Sequence, residues 1–307
     1  MPSMLISGGR GFLGSHLVKK ALKAGFEVTV IDDFSTSQPK DVDGNFTFIK
    51  QRIEEFETEE EFNYYIHLAA RPSPDDYILH PIETMLSNSI GTIKMLEFAK
   101  RSKGTFLYTS SSETYGDAAL VPTPESYWGN VNFVGIRSCY DESKRFSESV
   151  CMAYLRENDV DVRIQRPFNT YGPGIRVDGT YGRVIPRFIQ QALNGENITI
   201  HGDGQQTRSF LYVDDWTDAT WKMLKMKVKG EIFNIGSTRQ ISILELAHKI
   251  KNLTDSHSKI VFERAREDDP KKREADISKA RKLLKWEPKV SLDAGLKKTI
   301  EFIRGYV

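Results

Sequence analysis

The chain has 307 residues, a hydrophobic content of 39% and a formal net charge of +1. A chain of this length can bury a large core, whereas its nearly neutral charge gives no indication of a surface for nucleic acid. No apolar run reaches the length of a membrane span, and a strand-like segment begins directly at the N-terminus, so we expect a cytoplasmic protein without a signal peptide or a membrane partner.

A glycine-rich turn follows the first predicted strand. Met4–Ser7 is short and apolar, and a helix is predicted to begin near Ser15. Glycines at every third position between them let the backbone approach a pyrophosphate at a helix N-terminus, where free N–H groups favour negative charge. Glycines alone also occur in ordinary tight turns, but here the strand before and the helix after agree with the motif. The residues predicted to bind a dinucleotide in this turn are Gly8, Gly11, Phe12, Leu13 and Gly14.

The second predicted strand, Val28–Ile31, ends in Asp32 and Asp33. A carboxylate at this position can accept hydrogen bonds from both ribose hydroxyls of an adenosine, and it repels a 2′-phosphate. We therefore predict that NAD, rather than NADP, binds here through Asp32 and Asp33. The alternative for Asp32 is a loop carboxylate or a helix cap.

Two further strands are predicted before the middle of the chain. Phe46–Ile49 is the third, and the fourth, Tyr65–Ala70, ends in small residues, so we expect Ala69 to lie against the cofactor. The acidic segment Glu54–Glu61 is interpreted as the solvated face of a helix. We expect His67 to be a buried, hydrogen-bonded histidine, because no second ligand stands at metal-binding spacing; no metal site is predicted.

The centre of the chain carries the residues on which the chemistry depends. Ser111 follows a fifth predicted strand, Thr105–Thr109, and Tyr140 and Lys144 are four residues apart on a predicted helix, hence on one face. A cation next to a phenol favours the phenolate, so the pKa of Tyr140 should be lowered. With a serine hydroxyl beside it, such a pair can take a proton from a sugar alcohol. The alternative is a tyrosine and a lysine on a solvated helix face.

The alternation of strands and helices continues to a sixth strand, Val162–Gln165, and stops after Pro173. This order predicts a doubly wound parallel sheet, the Rossmann architecture, with a smaller mixed α/β substrate-binding region at its C-terminal side. The helix 213–226 and the strand Ile232–Ile235 are predicted to pack back on the main sheet. The predicted domains are residues 1–169 plus about 210–237, and about 170–209 plus 238–307.

These segments together resemble the extended short-chain dehydrogenase/reductase superfamily and, within it, the UDP-glucuronate decarboxylases. The resemblance covers nearly the whole chain. The segments that carry it are the glycine turn 8–17, Asn88–Thr92, Ser112–Asp117, Tyr127–Asn132, Arg137–Arg145, Phe168–Pro173, Gln206–Phe210 and Glu267–Pro270 with Arg273 and Asp276–Ile277.

The resemblance implies that NAD is reduced and reoxidised within one turnover. Tyr140 would be the base at the sugar O4, Lys144 would lower its pKa and bind the nicotinamide ribose, and Ser111 would polarise O4. Glu113 would order the sugar or a water for protonation at C5. The product expected from UDP-glucuronate is UDP-xylose.

Five residues are predicted to bind the nucleotide sugar. They are Ser112, Asn169, Arg183, Arg208 and Arg266. Arg208 is assigned to the diphosphate, because a guanidinium offers a planar fork of donors to phosphate oxygens. Its alternative is a surface arginine paired with Asp214 or Asp215.

Related activities stay open as alternatives. A 4-epimerase acting on UDP-glucuronate or UDP-glucose is the nearest, and a non-catalytic NAD-binding regulator is a further one. A 4,6-dehydratase is disfavoured, because Ser112 stands where those enzymes carry an acidic aspartate. Arg52 and Arg71 depart from the pattern of the superfamily: Arg52 replaces an adenine-contacting aspartate, and Arg71 could contact the substrate carboxylate or the cofactor phosphates.

Assembly is predicted from two helices, 82–101 and 138–158, which carry more apolar residues than one face against a sheet needs. The residues concerned are Met85, Ile93, Met95 and Phe98 on the first helix and Val150, Met152, Tyr154 and Leu155 on the second. We therefore expect a homodimer in which these helices pair across a twofold axis. The alternative is that the second region covers them within one chain.

Overall fold

The computed structural model describes residues 1–37, 42, 44–177, 183–265 and 272–306. Strands and helices alternate in its N-terminal part. In chain order the elements are β1 (Ser3–Ser7), α1 (Phe12–Lys23), β2 (Glu27–Ile31), β3 (Thr47–Ile49), β4 (Tyr64–His67), α2 (Pro74–Leu79), α3 (Pro81–Ser102), β5 (Thr105–Thr109), α4 (Ser138–Asn158), β6 (Asp161–Pro167) and β7 (Thr170–Tyr171). Short 3-10 turns stand at Ile53–Glu55 and Ser112–Tyr115.

The C-terminal part mixes short strands with helices. The elements there are α5 (Val184–Leu193), β8 (Ile198–His201), β9 (Thr207–Ser209), β10 (Leu211–Tyr212), α6 (Val213–Lys225), β11 (Glu231–Ile235), β12 (Gln240–Ser242), α7 (Ile243–Leu253), β13 (Ile260–Glu263), β14 (Lys272–Arg273) and α8 (Leu292–Arg304). A π-helical turn lies at Ala280–Leu284.

Seven strands form one parallel sheet in the order β11-β6-β5-β4-β1-β2-β3. The chain moves from β1 outward through β2 to β3 and then returns to the other side of β1 as β4. Ligands of open parallel sheets bind at the carboxyl ends of the strands, beside such a reversal. The predicted doubly wound parallel sheet is confirmed, and so is the return of Ile232–Ile235 to it as β11.

Alternation along β1 explains why helices cover both faces of the sheet. Met4 and Ile6 pack in the core cluster that contains residues of α1 and α6, whereas Leu5 packs in the opposite cluster with residues of α3. All three are fully buried. Since burying such a side chain contributes roughly 1.5–3 kcal/mol, helices on both faces stabilise the sheet.

The helices and small sheets of the C-terminal part, which we call the cap, have a core of their own. Its members include Phe188 of α5, Leu246 of α7 and Ile300 of α8. Ala280 and Leu284 instead belong to a core cluster of the main sheet. The division of the chain into two domains stays a prediction.

Two local predictions were wrong. Glu54–Glu61 is not a helix: beyond the 3-10 turn Ile53–Glu55 the segment has no regular structure, and Ile53 and Phe56 anchor it in the core. Acidic composition indicated exposure but not conformation. Met95 and Phe98 of α3 are core residues rather than surplus apolar surface.

The exposed apolar side chains of α3 lie nearer its N-terminus. They are Ile82, Met85, Leu86 and Ile90, which are 71%, 45%, 40% and 40% exposed. On α4, Phe146 is 47% exposed. Among the helices that the structure describes, we find none with the length and apolar character of a membrane span.

Candidate active site

A cleft with a volume of about 360 Å³ is lined by the carboxyl ends of the sheet strands and by residues of the cap. Nearly all the predicted site residues line it. They are Gly8, Gly11, Phe12, Leu13, Gly14, Asp32, Asp33, Ala69, Ser111, Ser112, Glu113, Tyr140, Lys144, Asn169, Arg183 and Arg208. Arg266 lies outside the described residues.

The glycine turn between β1 and α1 has no room for side chains. Gly8 has a φ of +72°, and a Cβ there would stand 2.6 Å from the backbone N of Ala69. A Cβ on Gly14 would stand 2.2 Å from the carbonyl oxygen of Gly8. No side chain caps α1, whose first residue, Phe12, follows Gly11 at the cleft. An uncapped helix N-terminus with a closely approached backbone fits a pyrophosphate.

Asp32 is fixed at the end of β2 by three donors. One carboxylate oxygen accepts the Arg10 N–H at 3.0 Å, and the other accepts the Phe34 N–H at 2.9 Å and the Ser37 hydroxyl at 2.8 Å. Burial raises the pKa of Asp32 above its ordinary value, although these hydrogen bonds oppose it. The carboxylate therefore has a set orientation in the cleft wall, next to Asp33, as the ribose-binding prediction requires.

His67 supports this end of the cleft from the core. Its Nε2 lies 3.1 Å from the Ser87 carbonyl oxygen, which can only accept, so Nε2 donates and Nδ1 accepts the Ser7 hydroxyl at 2.6 Å. Burial lowers the pKa of His67 to about 3, and the charge of Lys144 acts in the same direction. The prediction of a buried, hydrogen-bonded histidine is confirmed. The described residues contain no group of three side chains suited to a metal ion.

Ser111, Tyr140 and Lys144 are brought together in the middle of the cleft. Tyr140 and Lys144 stand in the first two turns of α4 and are 5% and 2% exposed. Ser111 caps the 3-10 turn that follows β5, where its hydroxyl accepts the Glu113 N–H at 3.2 Å. Lys144 Nζ donates to the Thr109 carbonyl oxygen at 2.8 Å, and the Tyr140 ring stacks on Tyr77 with a centroid distance of 5.1 Å.

The prediction that Lys144 lowers the pKa of Tyr140 is wrong in this structure. Burial raises the pKa of Tyr140 well above its ordinary value, while the hydrogen bond from Ser111 and the charge of Arg183 lower it. Burial also lowers the pKa of Lys144 to about 7, against the opposing charge of Glu148. Sequence spacing placed the two groups together, but it could not show that the shared burial outweighs their attraction.

Two arginines bind Glu113 in the cleft. Arg273 from β14 forms a two-point ion pair with the Glu113 carboxylate, one arm at 2.9 Å, and Arg137 binds the same carboxylate. Burial alone would raise the pKa of Glu113, but Arg273 and Arg137 outweigh it and hold the pKa at about 2. With Glu113 ionised, the three groups carry a net charge of +1.

Neither arginine was predicted as a site residue. Both stand in segments that carry the family resemblance, Arg137 three residues before Tyr140 and Arg273 beside Asp276–Ile277. That position was the available signal, since Glu113 and Arg273 are 160 residues apart in sequence. Their pairing depends on how the cap lies on the sheet.

Four of the five residues predicted to bind the nucleotide sugar line the cleft: Ser112, Asn169, Arg183 and Arg208. Arg208 on β9 is 7% exposed and donates to the Thr207 carbonyl oxygen at 2.9 Å. Asn169 donates to the Ser209 carbonyl oxygen at 3.0 Å. The carboxylate of Asp215, one alternative partner for Arg208, accepts two backbone N–H groups, from Lys289 and Val290.

Arg52 and Arg71, the two residues that depart from the family pattern, have ion-pair partners. Arg71 binds Asp76 at 2.9 Å and Glu83 at 2.7 Å, and Arg52 binds Glu54 at 3.0 Å. Both arginines line the cleft. Arg71 is thus held by two carboxylates of its own chain, and its contact with the substrate carboxylate or the cofactor phosphates stays a prediction.

Known proteins resemble this chain over nearly its whole length. A family model described as the NAD dependent epimerase/dehydratase family matches residues 4–236. UDP-glucuronic acid decarboxylase 1 of Xenopus tropicalis is 43% identical over 306 residues, which are 98% of this chain and 72% of that protein. UDP-glucuronic acid decarboxylase 4 of Arabidopsis thaliana is 44% identical over 298 residues, 95% of this chain and 66% of that protein.

Solved structures with the same fold include two 4-epimerases. The UDP-glucose 4-epimerase of Thermotoga maritima, solved with UDP-glucose, is 32% identical with a TM-score of 0.91, and the match covers 99% of both chains. The UDP-glucuronic acid 4-epimerase of Bacillus cereus, solved with UDP-glucuronic acid and NAD, is 30% identical with a TM-score of 0.88, covering 99% of this chain and 100% of that chain.

Proposed function

This chain belongs to the NAD dependent epimerase/dehydratase family, and we propose that it is an NAD-dependent decarboxylase that converts UDP-glucuronate into UDP-xylose through a 4-keto intermediate. The resemblance to the extended short-chain dehydrogenases/reductases and to UDP-glucuronate decarboxylases is confirmed by the family match and by the named relatives. One observation carries the proposal: Arg137 and Arg273 converge on Glu113 in the cleft that also holds Tyr140. The net positive charge suits a sugar that carries a carboxylate.

The cofactor end of the cleft suits NAD. The uncapped start of α1 at Phe12 would hold the pyrophosphate, Asp32 the adenosine ribose, and Ala69 would allow close approach. When bound, NAD supplies reversible hydride exchange with C4 of the sugar.

Proton transfer at O4 falls to Tyr140. In its phenolate form the side chain accepts the O4 proton while C4 is oxidised to a ketone, and Ser111 donates a hydrogen bond to O4. The charge of Arg183 favours the phenolate. Lys144 lies one helical turn away from Tyr140, where it would bind the nicotinamide ribose. When C4 is reduced again, Tyr140 returns the proton to O4.

Oxidation at C4 prepares the loss of CO2. The carboxylate on C5 is then β to a ketone, so the bond between C5 and the carboxyl carbon breaks, and its electron pair spreads onto O4 as an enolate. Donors at O4 stabilise that charge. A proton from water then adds to C5. Glu113, with a pKa of about 2, is ionised at neutral pH, so we assign it to orienting the two guanidiniums and a water rather than to donating the proton.

A UDP-glucuronate 4-epimerase is the second candidate. It is favoured by the likeness to the UDP-glucuronic acid 4-epimerase of Bacillus cereus, which matches over the whole of that chain. Such an enzyme would use the same positive charge to retain the carboxylate during rotation of the keto sugar. A 4,6-dehydratase stays disfavoured, because Ser112 offers no carboxylic acid.

The test is incubation of the purified, NAD-loaded protein with UDP-glucuronate. We expect release of CO2 and formation of UDP-xylose, whereas UDP-galacturonate without CO2 would identify the epimerase. No reaction would indicate a non-catalytic NAD-binding protein. UDP-glucose is the matched control substrate, since it lacks the carboxylate.

We also propose a homodimer through α3 and α4. Ile82, Met85, Leu86 and Ile90 on α3 and Phe146 on α4 form exposed apolar surface that a second copy would bury. Light scattering should give about twice the 35.0 kDa of one chain, and a single-chain mass would contradict the proposal.

A variant pair sharpens this test. Leu86→Glu should dissociate the dimer, while a glutamate at Val228, which is 56% exposed in the loop between α6 and β11, should not. A cytoplasmic location stays a prediction, to be tested by cell fractionation.

A further inference from the structure

Tyr115 links the two partners of the Glu113–Arg273 ion pair. It ends the 3-10 turn that carries Glu113 and is 3% exposed. Its hydroxyl accepts an N–H of Arg166 at 2.7 Å and donates to the amide oxygen of Asn234 at 2.7 Å. One hydroxyl thus joins the glutamate's turn to β6 and β11.

Asn234 continues the connection toward Arg273. It is fully buried on β11, and its amide nitrogen donates to the carbonyl oxygens of Thr123 at 2.9 Å and Asp276 at 3.1 Å. The Asp276 N–H in turn donates to the Thr123 carbonyl oxygen at 3.1 Å. The segment that follows Arg273 is therefore held on the end of β11 by hydrogen bonds that leave it little freedom to move.

Arg166 ties the same hydroxyl to the catalytic helix. It binds both carboxylate oxygens of Glu148, which stands on α4 two turns beyond Tyr140, and its guanidinium lies 4.7 Å from the Tyr115 ring centroid. Glu148 also accepts the hydroxyl of Ser110, at the end of β5. None of Tyr115, Arg166 and Asn234 is among the described residues that line the cleft, so these side chains act through others.

We propose that Tyr115 and Asn234 are positioning residues that set the placement of Arg273 against Glu113, and thereby the preference for a sugar that carries a carboxylate. The inference rests on the proposed function of the two arginines. A guanidinium reaching across the cleft must be held closely, since a misplacement of about 1 Å can cost on the order of 10²-fold in rate. The hydrogen bond from Tyr115 to Asn234 joins the turn that carries Glu113 to the strand that holds the segment after Arg273.

The test compares ligand preference in Tyr115→Phe and Tyr65→Phe, each loaded with NAD. Tyr65 is a matched control: it is fully buried, and its hydroxyl accepts one hydrogen bond, from the Phe62 N–H at 2.9 Å, at the opposite end of the sheet. Calorimetry gives the ratio of the dissociation constants for UDP-glucose and UDP-glucuronate. We expect this ratio to fall about tenfold in Tyr115→Phe and to stay at the wild-type value in Tyr65→Phe, with NAD affinity unchanged in both.

A second variant keeps the test decisive if Tyr115→Phe folds poorly. Asn234→Ser should lower the same ratio, because it removes the acceptor of the Tyr115 hydroxyl and the donor to the Asp276 carbonyl oxygen. The loss in the double variant should stay below the sum of the two single losses, because both changes break the hydrogen bond between Tyr115 and Asn234. An unchanged ratio, or equal losses in Tyr65→Phe, would overturn the inference. So would a wild-type protein without any preference for UDP-glucuronate.

These readouts separate the inference from the proposed function. If the wild type prefers UDP-glucuronate but releases no CO2, the decarboxylase proposal fails while the binding ratio still decides the role of Tyr115. If CO2 is released and the ratio does not respond to Tyr115→Phe, only the inference fails.

Discussion

The two ends of the cleft are built in different ways. At the cofactor end, the glycine turn, Asp32 and Ala69 all come from the first 70 residues and follow neighbouring strands of one sheet. At the sugar end, Glu113 is held by Arg137 and by Arg273, which arrives from the far part of the chain. The first end is made by local backbone geometry, and the second by charges that only the finished fold brings together.

The largest expected effect lies where the two ends meet. Tyr140→Phe removes the hydroxyl whose proton must move, so turnover should fall by about 10²–10⁴-fold. NAD binding and the folded state should be retained, because the ring and its stack on Tyr77 remain. Steady-state assays with UDP-glucuronate, together with NAD titration, check both parts. Turnover near the wild-type rate would remove Tyr140 from its role.

The next effect should be confined to the sugar end. Arg273→Gln removes one of the two cations on Glu113, so the dissociation constant for UDP-glucuronate should rise about 10- to 100-fold, with no change for NAD. Arg273→Lys is the matched control, because it keeps the charge but loses the planar fork. Calorimetry with both ligands measures the contrast, and equal losses for NAD would show that the two ends are not independent.

A smaller effect should be confined to the cofactor end. Asp32→Ala removes the carboxylate that would repel a 2′-phosphate, so the preference for NAD over NADP should fall about tenfold. The preference for UDP-glucuronate over UDP-glucose should not change. Fluorescence titration with both dinucleotides provides the measurement. A wild-type protein that already binds NADP more tightly than NAD would refute the assignment of Asp32.

The last effect concerns the stability of the fold, and it separates His67 from Glu113 by the pH at which each group gains a proton. The pKa of His67 is 6.5 in the unfolded chain and about 3 in the folded one, so the unfolded state binds one more proton between these values. As the pH is lowered below 6.5, the free energy of unfolding should therefore decrease by up to about 1.4 kcal/mol per pH unit. The corresponding window for Glu113 opens only below 4.5.

Denaturant titrations of wild type and His67→Asn between pH 4 and 7 isolate this contribution. The difference between the two proteins matters, because burial raises the pKa of Asp141 to about 7 and that group acts in the opposite sense. The exposed His80 is a control position. Identical slopes for wild type and His67→Asn would contradict the prediction.

The features that could be predicted from the sequence are those that depend on local sequence. The parallel sheet was predictable because its strands are buried on both faces and therefore appear as short apolar runs, such as Met4–Ser7. The glycine turn was predictable because its function requires particular residues at fixed spacing. Both signals lie within a few neighbouring positions of the chain.

What could not be predicted depends on tertiary structure. The partners of Glu113 come from a β14 strand whose place is set by the cap, and the sign of the pKa shift of Tyr140 depends on how deeply α4 is buried. The prediction of a helix at Glu54–Glu61 was wrong for the same reason, because Ile53 and Phe56 pack in the core although the segment is not helical. In each case a non-local contact outweighed the local pattern.

The late position of Arg273 has a consequence for the order in which the protein becomes functional during synthesis. Every strand that surrounds the glycine turn precedes residue 110, so these parts can leave the ribosome and begin to pair while the cap is still being translated. The second cation of the Glu113 pair is supplied only when residue 273 has emerged. A nascent chain would thus acquire the residues proposed to bind the dinucleotide long before the full set proposed to select a sugar acid.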